Sequence, residues 1–317
     1  MLAYFRLFRW PNLFMVALIQ YMIRYAVVLP TLAVHDIQPG LSHFMFFLLV
    51  LSSLLITAAG YAINDYFDLR TDRINKPDKI VLGKHISRRK AILLHSLFNF
   101  LGVSLGVFLS IISGNWSLSF IFFVIPFLLW LYSIRYKRRY FIGNFIVSLM
   151  AAFVISIVWI FDYNSLANLA DPAGPGILNT TWFVRIYALF AFLTTLGREI
   201  IKDIEDIRGD AKTGCKTIPV ISGITFTKKA IIVLHMAIIV FVAYIQILLL
   251  MRDFDLLFIY ALLFIQVPFI FLIHKTVTAV EKYDYSSLSS MSKYIMLSGV
   301  LTMIILYFYI REGFTII

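Results

Sequence analysis

Nine stretches of the chain stay apolar for about twenty residues at a time, at about 11–34, 43–63, 90–112, 115–134, 141–162, 181–200, 228–251, 254–274 and 291–310. A hydrocarbon layer about 30 Å thick takes roughly 20 apolar helical residues to cross, and backbone polar groups inside it must be paired within the segment. The pattern therefore predicts an all-α integral membrane protein with nine transmembrane helices. Hydrophobic residues make up 61% of the 317 and charged residues only 14%, far from the make-up of an ordinary soluble domain. The longest polar stretches, about 64–90 and 198–229, are too short for a separate soluble domain, so a single membrane domain over 1–317 is expected.

Lysine and arginine set the orientation, because short loops rich in them stay on the cytoplasmic side. Of 28 such residues, 24 fall at the N-terminus or after the even-numbered runs. Arg252 and Arg311 fall on the other side, with Arg24 and Arg185 inside helices towards it. An odd helix count then puts the N-terminus in the cytoplasm. The net charge of +11 is thus explained by topology, anionic lipid and an anionic substrate, without nucleic acid. Cys215 is the sole cysteine, which excludes an intrachain disulfide and a cysteine-rich metal site. The opening "MLAYFRLFRWPNLFMVALIQ" reads as a retained first helix, its apolar run being too long for a signal-peptide core.

The acidic residues are few and clustered. "NDYFDLRTD" at 64–72 and "KDIEDIRGD" at 202–210 share Asp, Asp, Arg and Asp at identical offsets: Asp65, Asp68, Arg70 and Asp72 against Asp203, Asp206, Arg208 and Asp210. Offsets of three and seven bring helical side chains onto one face, so each copy is a stripe of like charges. At a membrane boundary that repulsion grows unless a cation intervenes. The donors are hard oxygens, with Asn64 as an extra carbonyl, which favours Mg2+ or Mn2+ over zinc. Mg2+ usually takes one or two carboxylates plus phosphate oxygens. Arg70, Arg73, Lys76, Lys79, Lys202 and Arg208, interleaved with the carboxylates, suit a diphosphate, and in a membrane protein its owner is a lipid. A single acidic helix end is often only a solvated cap; two copies in matching register argue against that.

These segments resemble the two aspartate-rich motifs of the UbiA superfamily of intramembrane prenyltransferases, the first written N-D-x-x-D-x-x-x-D. The second is trailed by Gly214, Thr217 and Pro219, and "YSIRYKRRYFIGN" supplies Tyr132, Lys137 and Asn144. Asn12, after "RLFRWP", sits where the family's first helix carries a polar residue. The resemblance implies a helical bundle around a central cavity, with cytoplasmic loops carrying the motifs. Asn64, Asp65, Asp68, Asp72, Asp203, Asp206 and Asp210 would hold Mg2+ (or Mn2+) on a prenyl diphosphate, geranylgeranyl or longer. Arg73, Lys137 and Lys202 would neutralise its oxygens, and Tyr132 would stabilise the allylic cation. Asn12, Asn144, Glu199, Arg208 and Lys79 are further substrate-binding candidates. Lys79 and Ile80 stand where many members carry Arg-Pro, which keeps the charge but loses the bidentate fork.

"GREIIKDIEDIRGD", with Arg198 and Glu199, is similar to the branch that transfers geranylgeranyl to geranylgeranylglyceryl phosphate; an aromatic acceptor of the hydroxybenzoate, homogentisate or naphthoate type stays open beside it. Arg88, Arg89, Arg138 and Arg139 are the cations offered for an acceptor phosphate. A divalent-cation transporter would place its carboxylates near the bilayer midplane on broken helices, whereas these lie at helix ends among lysines and arginines. The Asp-Gly-x-x-Ala-Arg signature of CDP-alcohol phosphatidyl transferases is missing.

Overall fold

The computed structural model describes residues 2–166, 171–251 and 255–312. Among them a short helix, Leu2–Leu7, precedes nine helices long and apolar enough to cross a membrane: α1 Trp10–Val34, α2 His43–Asn75, α3 Arg88–Ile112, α4 Trp116–Ile134, α5 Ile142–Leu166, α6 Pro175–Lys212, α7 Ile218–Leu250, α8 Asp255–Thr278 and α9 Lys282–Arg311. No β-strand occurs among the described residues, and the all-helical, nine-helix architecture is the one expected. Arg252 lies outside the described residues, as does the side chain of Lys79.

Local chemistry sets the helix starts. Ser42 Oγ and Ser87 Oγ accept the amides of Met45 and Lys90 at 3.2 and 3.3 Å, capping α2 and α3. Pro11, Pro175 and Pro219 occupy first turns of α1, α6 and α7, where a missing N–H costs nothing. Glu281 and Asp284 form a reciprocal capping box on α9. The helix through Ile218–Leu250 is broken at Gly223, which adopts φ 79°.

The helices overrun the hydrophobic stretches. At 33 residues and 1.5 Å per residue α2 is about 50 Å long, well beyond the bilayer core. Hydrophobicity marks only the lipid-facing part, and the arginines, lysines and glutamates beyond it are good helix formers. The carboxylate motifs therefore ride on the last turns of α2 and α6, which corrects the expectation that loops carry them. α2 stops before Pro77. α6 stops at Gly214, whose φ of 76° is left-handed, with the Cys215 amide donating to the Asp210 carbonyl at 2.9 Å.

At the end of the bundle opposite the motifs, α1 widens into a π-helical stretch, Ile23–Val28, that carries Arg24. Arg24 is fully buried, ion-paired with the equally buried Asp162 of α5, and donates to the Leu41 carbonyl at 2.5 Å. Asp162 also accepts the Leu41 amide at 2.9 Å, and the Arg24 guanidinium lies 4.7 Å from the Phe46 ring centroid. One charge pair thus ties α1, the α1–α2 connection, α2 and α5 together.

Candidate active site

On α2 the residues Tyr61, Asp65, Asp68, Asp72 and Asn75 follow one another at helical spacing, and on α6 the same register gives Glu199, Asp203, Asp206, Asp210 and Thr213. The two stripes face each other. They are joined by Asn75, whose amide nitrogen donates to the Asp206 carbonyl at 2.9 Å and whose oxygen accepts the Gly209 amide at 2.9 Å. A Cβ on Gly209 would stand 2.6 Å from the Asn75 Oδ1, so glycine is what lets the side chain in. Thr71 and Thr213 hydroxyls meet at 3.1 Å, and Lys282 of α9 donates to the Asn75 carbonyl at 2.5 Å. Gly209→Ala is accordingly expected to cost about 1–3 kcal/mol through overpacking and to lower turnover; thermal unfolding in detergent, read beside activity, checks it.

Within this frame the carboxylates are held by cations and amides. Arg9, left-handed at φ 49° before α1, pairs with Asp65 at 2.8 Å and lies 4.9 Å from the Tyr61 ring centroid. Lys137, in the short turn Tyr136–Arg138, pairs with Asp68 and reaches the Asn64 oxygen at 3.4 Å, while Asn64 donates to Asp68 at 2.7 Å. Lys76 pairs with Asp206 at 2.8 Å. Asn144 donates to Asp203 at 2.8 Å and Thr217 to Asp210 at 3.4 Å. Burial opposes the charge on Arg9 and on Lys137, but Asp65 and Asp68 outweigh it and hold both pKa values above their ordinary ranges. Both stay charged at any physiological pH.

Tyr132, on the last turns of α4, lies in the electrostatic field of Lys137, Glu199, Asp68 and Asp203, between the two stripes. Asn12 lies near the Tyr61 hydroxyl. Glu199 lies one turn deeper than Asp203, paired with Arg198 at 2.7 Å and Lys202 at 3.5 Å. Arg73 and Arg208 point outward and are exposed, like Arg70, so the structure does not bring them to the carboxylates. Arg88 lies over the Tyr66 ring at 4.5 Å, and Arg138 donates to the Phe67 carbonyl at 3.2 Å; neither faces the stripes through those contacts.

Among the described residues no three carboxylates, histidines or cysteines are gathered closely enough to cage a bare ion. The donor set nonetheless fits a hard divalent cation carried in on phosphate oxygens, which needs only one or two carboxylates. Oδ1 of Asp206 is buried without a hydrogen-bond partner, a free acceptor at the join of the two stripes.

The sequence pattern described as the UbiA prenyltransferase family matches residues 10–309. The chain belongs to that family. Digeranylgeranylglyceryl phosphate synthase from Methanosphaera stadtmanae is 30% identical over 260 residues, 81% of this chain and 85% of that one. The enzyme of the same name from Pyrococcus abyssi is 34% identical over 171 residues, where the match spans about half of its length, 52%. Among solved structures, a UbiA homolog from Aeropyrum pernix K1 aligns with a TM-score of 0.62 at 14% identity, covering 92% of this chain and 96% of that one. A UbiA homolog from Archaeoglobus fulgidus bound to DMAPP and Mg2+ aligns with a TM-score of 0.54 at 17% identity, covering 98% and 99%. Both share the fold.

Sequence reasoning missed several residues of this UbiA site. Arg9 counted only as a basic flank and Lys76 only as an interleaved cation. Tyr61 and Asn75 were not singled out, although both continue the stripe: Tyr61 stands four before Asp65 and Asn75 three after Asp72. Lys282 carried no signal, because its contact depends on how α9 docks.

Proposed function

We propose that this prenyltransferase joins a geranylgeranyl group, taken from its diphosphate, to geranylgeranylglyceryl phosphate. The reading rests on one observation: two carboxylate stripes, distant in the chain, are locked face to face by Asn75 with cations interleaved. The names of the relatives support the acceptor. We place the N-terminus and the site on the cytoplasmic side, in one membrane domain, and take Mg2+ as the metal, with Mn2+ as a substitute.

Asn64, Asp65, Asp68, Asp72, Asp203, Asp206 and Asp210 would hold the metal. When bound, it neutralises the leaving diphosphate and so favours loss of that group. The chain's own cations act alongside. Lys137, Arg9 and Lys76 each hold a carboxylate, and each turns to phosphate oxygens once that carboxylate finds another partner. Breaking the allylic C–O bond leaves the electron pair on the diphosphate and positive charge on the prenyl carbon. Each 1.36 kcal/mol of stabilisation of that separation is worth tenfold in rate. The Tyr132 ring offers its π face to the cation, and the surrounding helices keep water from capturing it. Carbon–oxygen bond formation with the acceptor hydroxyl then releases a proton, and the diphosphate leaves.

Purified protein given labelled geranylgeranyl diphosphate, Mg2+ and a panel of lipid-phosphate and phenolic acceptors should yield the doubly prenylated glyceryl phosphate by mass. Product only from a phenolic acid overturns the acceptor assignment. Excess EDTA is expected to stop turnover and added Mg2+ to restore it; rates that survive the chelator refute the metal.

A further inference from the structure

One turn deeper than the aspartates the site changes sign. Arg198 and Lys202 share a single carboxylate, Glu199, and all three side chains are largely buried, at 17%, 27% and 13% exposure. Nε of Arg198 is buried with no hydrogen-bond partner. A donor left unmet in a partly buried site is costly, and so is a surplus of like charge.

A third cation approaches from α9. That helix packs antiparallel to α6: the Tyr187 hydroxyl meets Thr302 at 2.9 Å, and a Cβ on Gly299 would stand 3.0 Å from the Phe190 Cζ. Stepping along this register towards the motif end brings Lys293 level with Leu196, about half a turn from Arg198. The electrostatic neighbours of Lys293 are Arg198, Glu199, Arg9 and Glu205. Lys293 is exposed, as is the next residue, Tyr294. It sits eleven residues into α9, about 16 Å along the helix from Lys282, where an exposed cation in a membrane helix marks a functional site by default. Snorkelling would carry its ammonium towards the interface; here Arg198 and Glu199 lie beside it.

We propose that Arg198, Lys202 and Lys293 form a second anion subsite, next to the aspartates, that takes the phosphate monoester of the acceptor lipid. Three cations against Glu199, with Glu205 further along α6, leave the site net positive. A phosphate monoester carries about −1.5 to −2 near neutral pH and is drawn to such a site more strongly than a phenolic carboxylate, which carries one. The inference rests on the functional reading above and names the residues that select its acceptor. Lys293 acts on binding of the acceptor, not on the prenyl diphosphate.

The test uses the full chain in detergent micelles. Binding of geranylgeranylglyceryl phosphate, without prenyl diphosphate or metal, is measured beside binding of geranylgeranylglycerol, its phosphate-free counterpart. Lys293→Gln is expected to weaken the phosphorylated lipid about tenfold, the scale of one charge-assisted contact. Binding of the free alcohol and KM for the prenyl diphosphate should not change, and Lys293→Arg should keep wild-type affinity. Equal loss for both lipids, or no loss in Lys293→Gln, overturns the subsite while leaving the functional reading standing if wild type still makes the product. A wild-type protein that prenylates only phenolic acids overturns both.

Discussion

Asp203→Ala and Asp65→Ala are each expected to give an inserted, folded protein whose turnover falls at least about a hundredfold, the scale lost with one strong transition-state contact. Asp203 is held by the Asn144 amide at 2.8 Å and Asp65 by Arg9 at 2.8 Å. Neither carboxylate bridges α2 to α6; that work falls to Asn75, Gly209, Thr71 and Thr213. Truncation should therefore spare the α2–α6 frame; it frees Asn144 or Arg9 and removes a donor for the metal-borne diphosphate. Turnover with labelled substrate, beside thermal unfolding in the same detergent, separates the two effects. Wild-type rates in either variant would refute the assignment of the stripes.

Breaking the buried pair at the other end should act on stability instead. Arg24 and Asp162 are both fully buried, and removing one partner strands a charge that has no water to turn to. The expected cost is about 3–5 kcal/mol for Arg24→Met or Asp162→Leu alone. The double variant should recover much of it, since replacing a buried pair by apolar side chains is often neutral. Unfolding in denaturant-titrated micelles gives the cycle. Additive losses in the double variant would mean that the two charges are not coupled as drawn.

Much of this was legible in the sequence because membrane burial and charge repulsion both leave periodic traces. The nine apolar runs located the helices, and Asp65, Asp68 and Asp72 against Asp203, Asp206 and Asp210 announced two like-charged stripes. What the runs could not show was where the helices stop, since polarity ends a hydrophobic run without ending a helix; Pro77 and Gly214 do that. Basic residues were the hardest to sort. Arg9, Arg73 and Lys76 are equal in type and in predicted sidedness, yet Arg9 and Lys76 reach carboxylates while Arg73 faces outward. Only the docking of the first helix and the turn after α2 separates them, and neither leaves a periodic signal.

The Asn75 side chain stands in for a peptide group, giving one hydrogen bond and taking one along the α6 ladder. Distance between the two helices is thereby fixed by neutral amides, whose partners do not change with ionic conditions. The α2–α6 spacing therefore does not depend on the charges alone, and a carboxylate that changes partner would leave the Asn75 link in place.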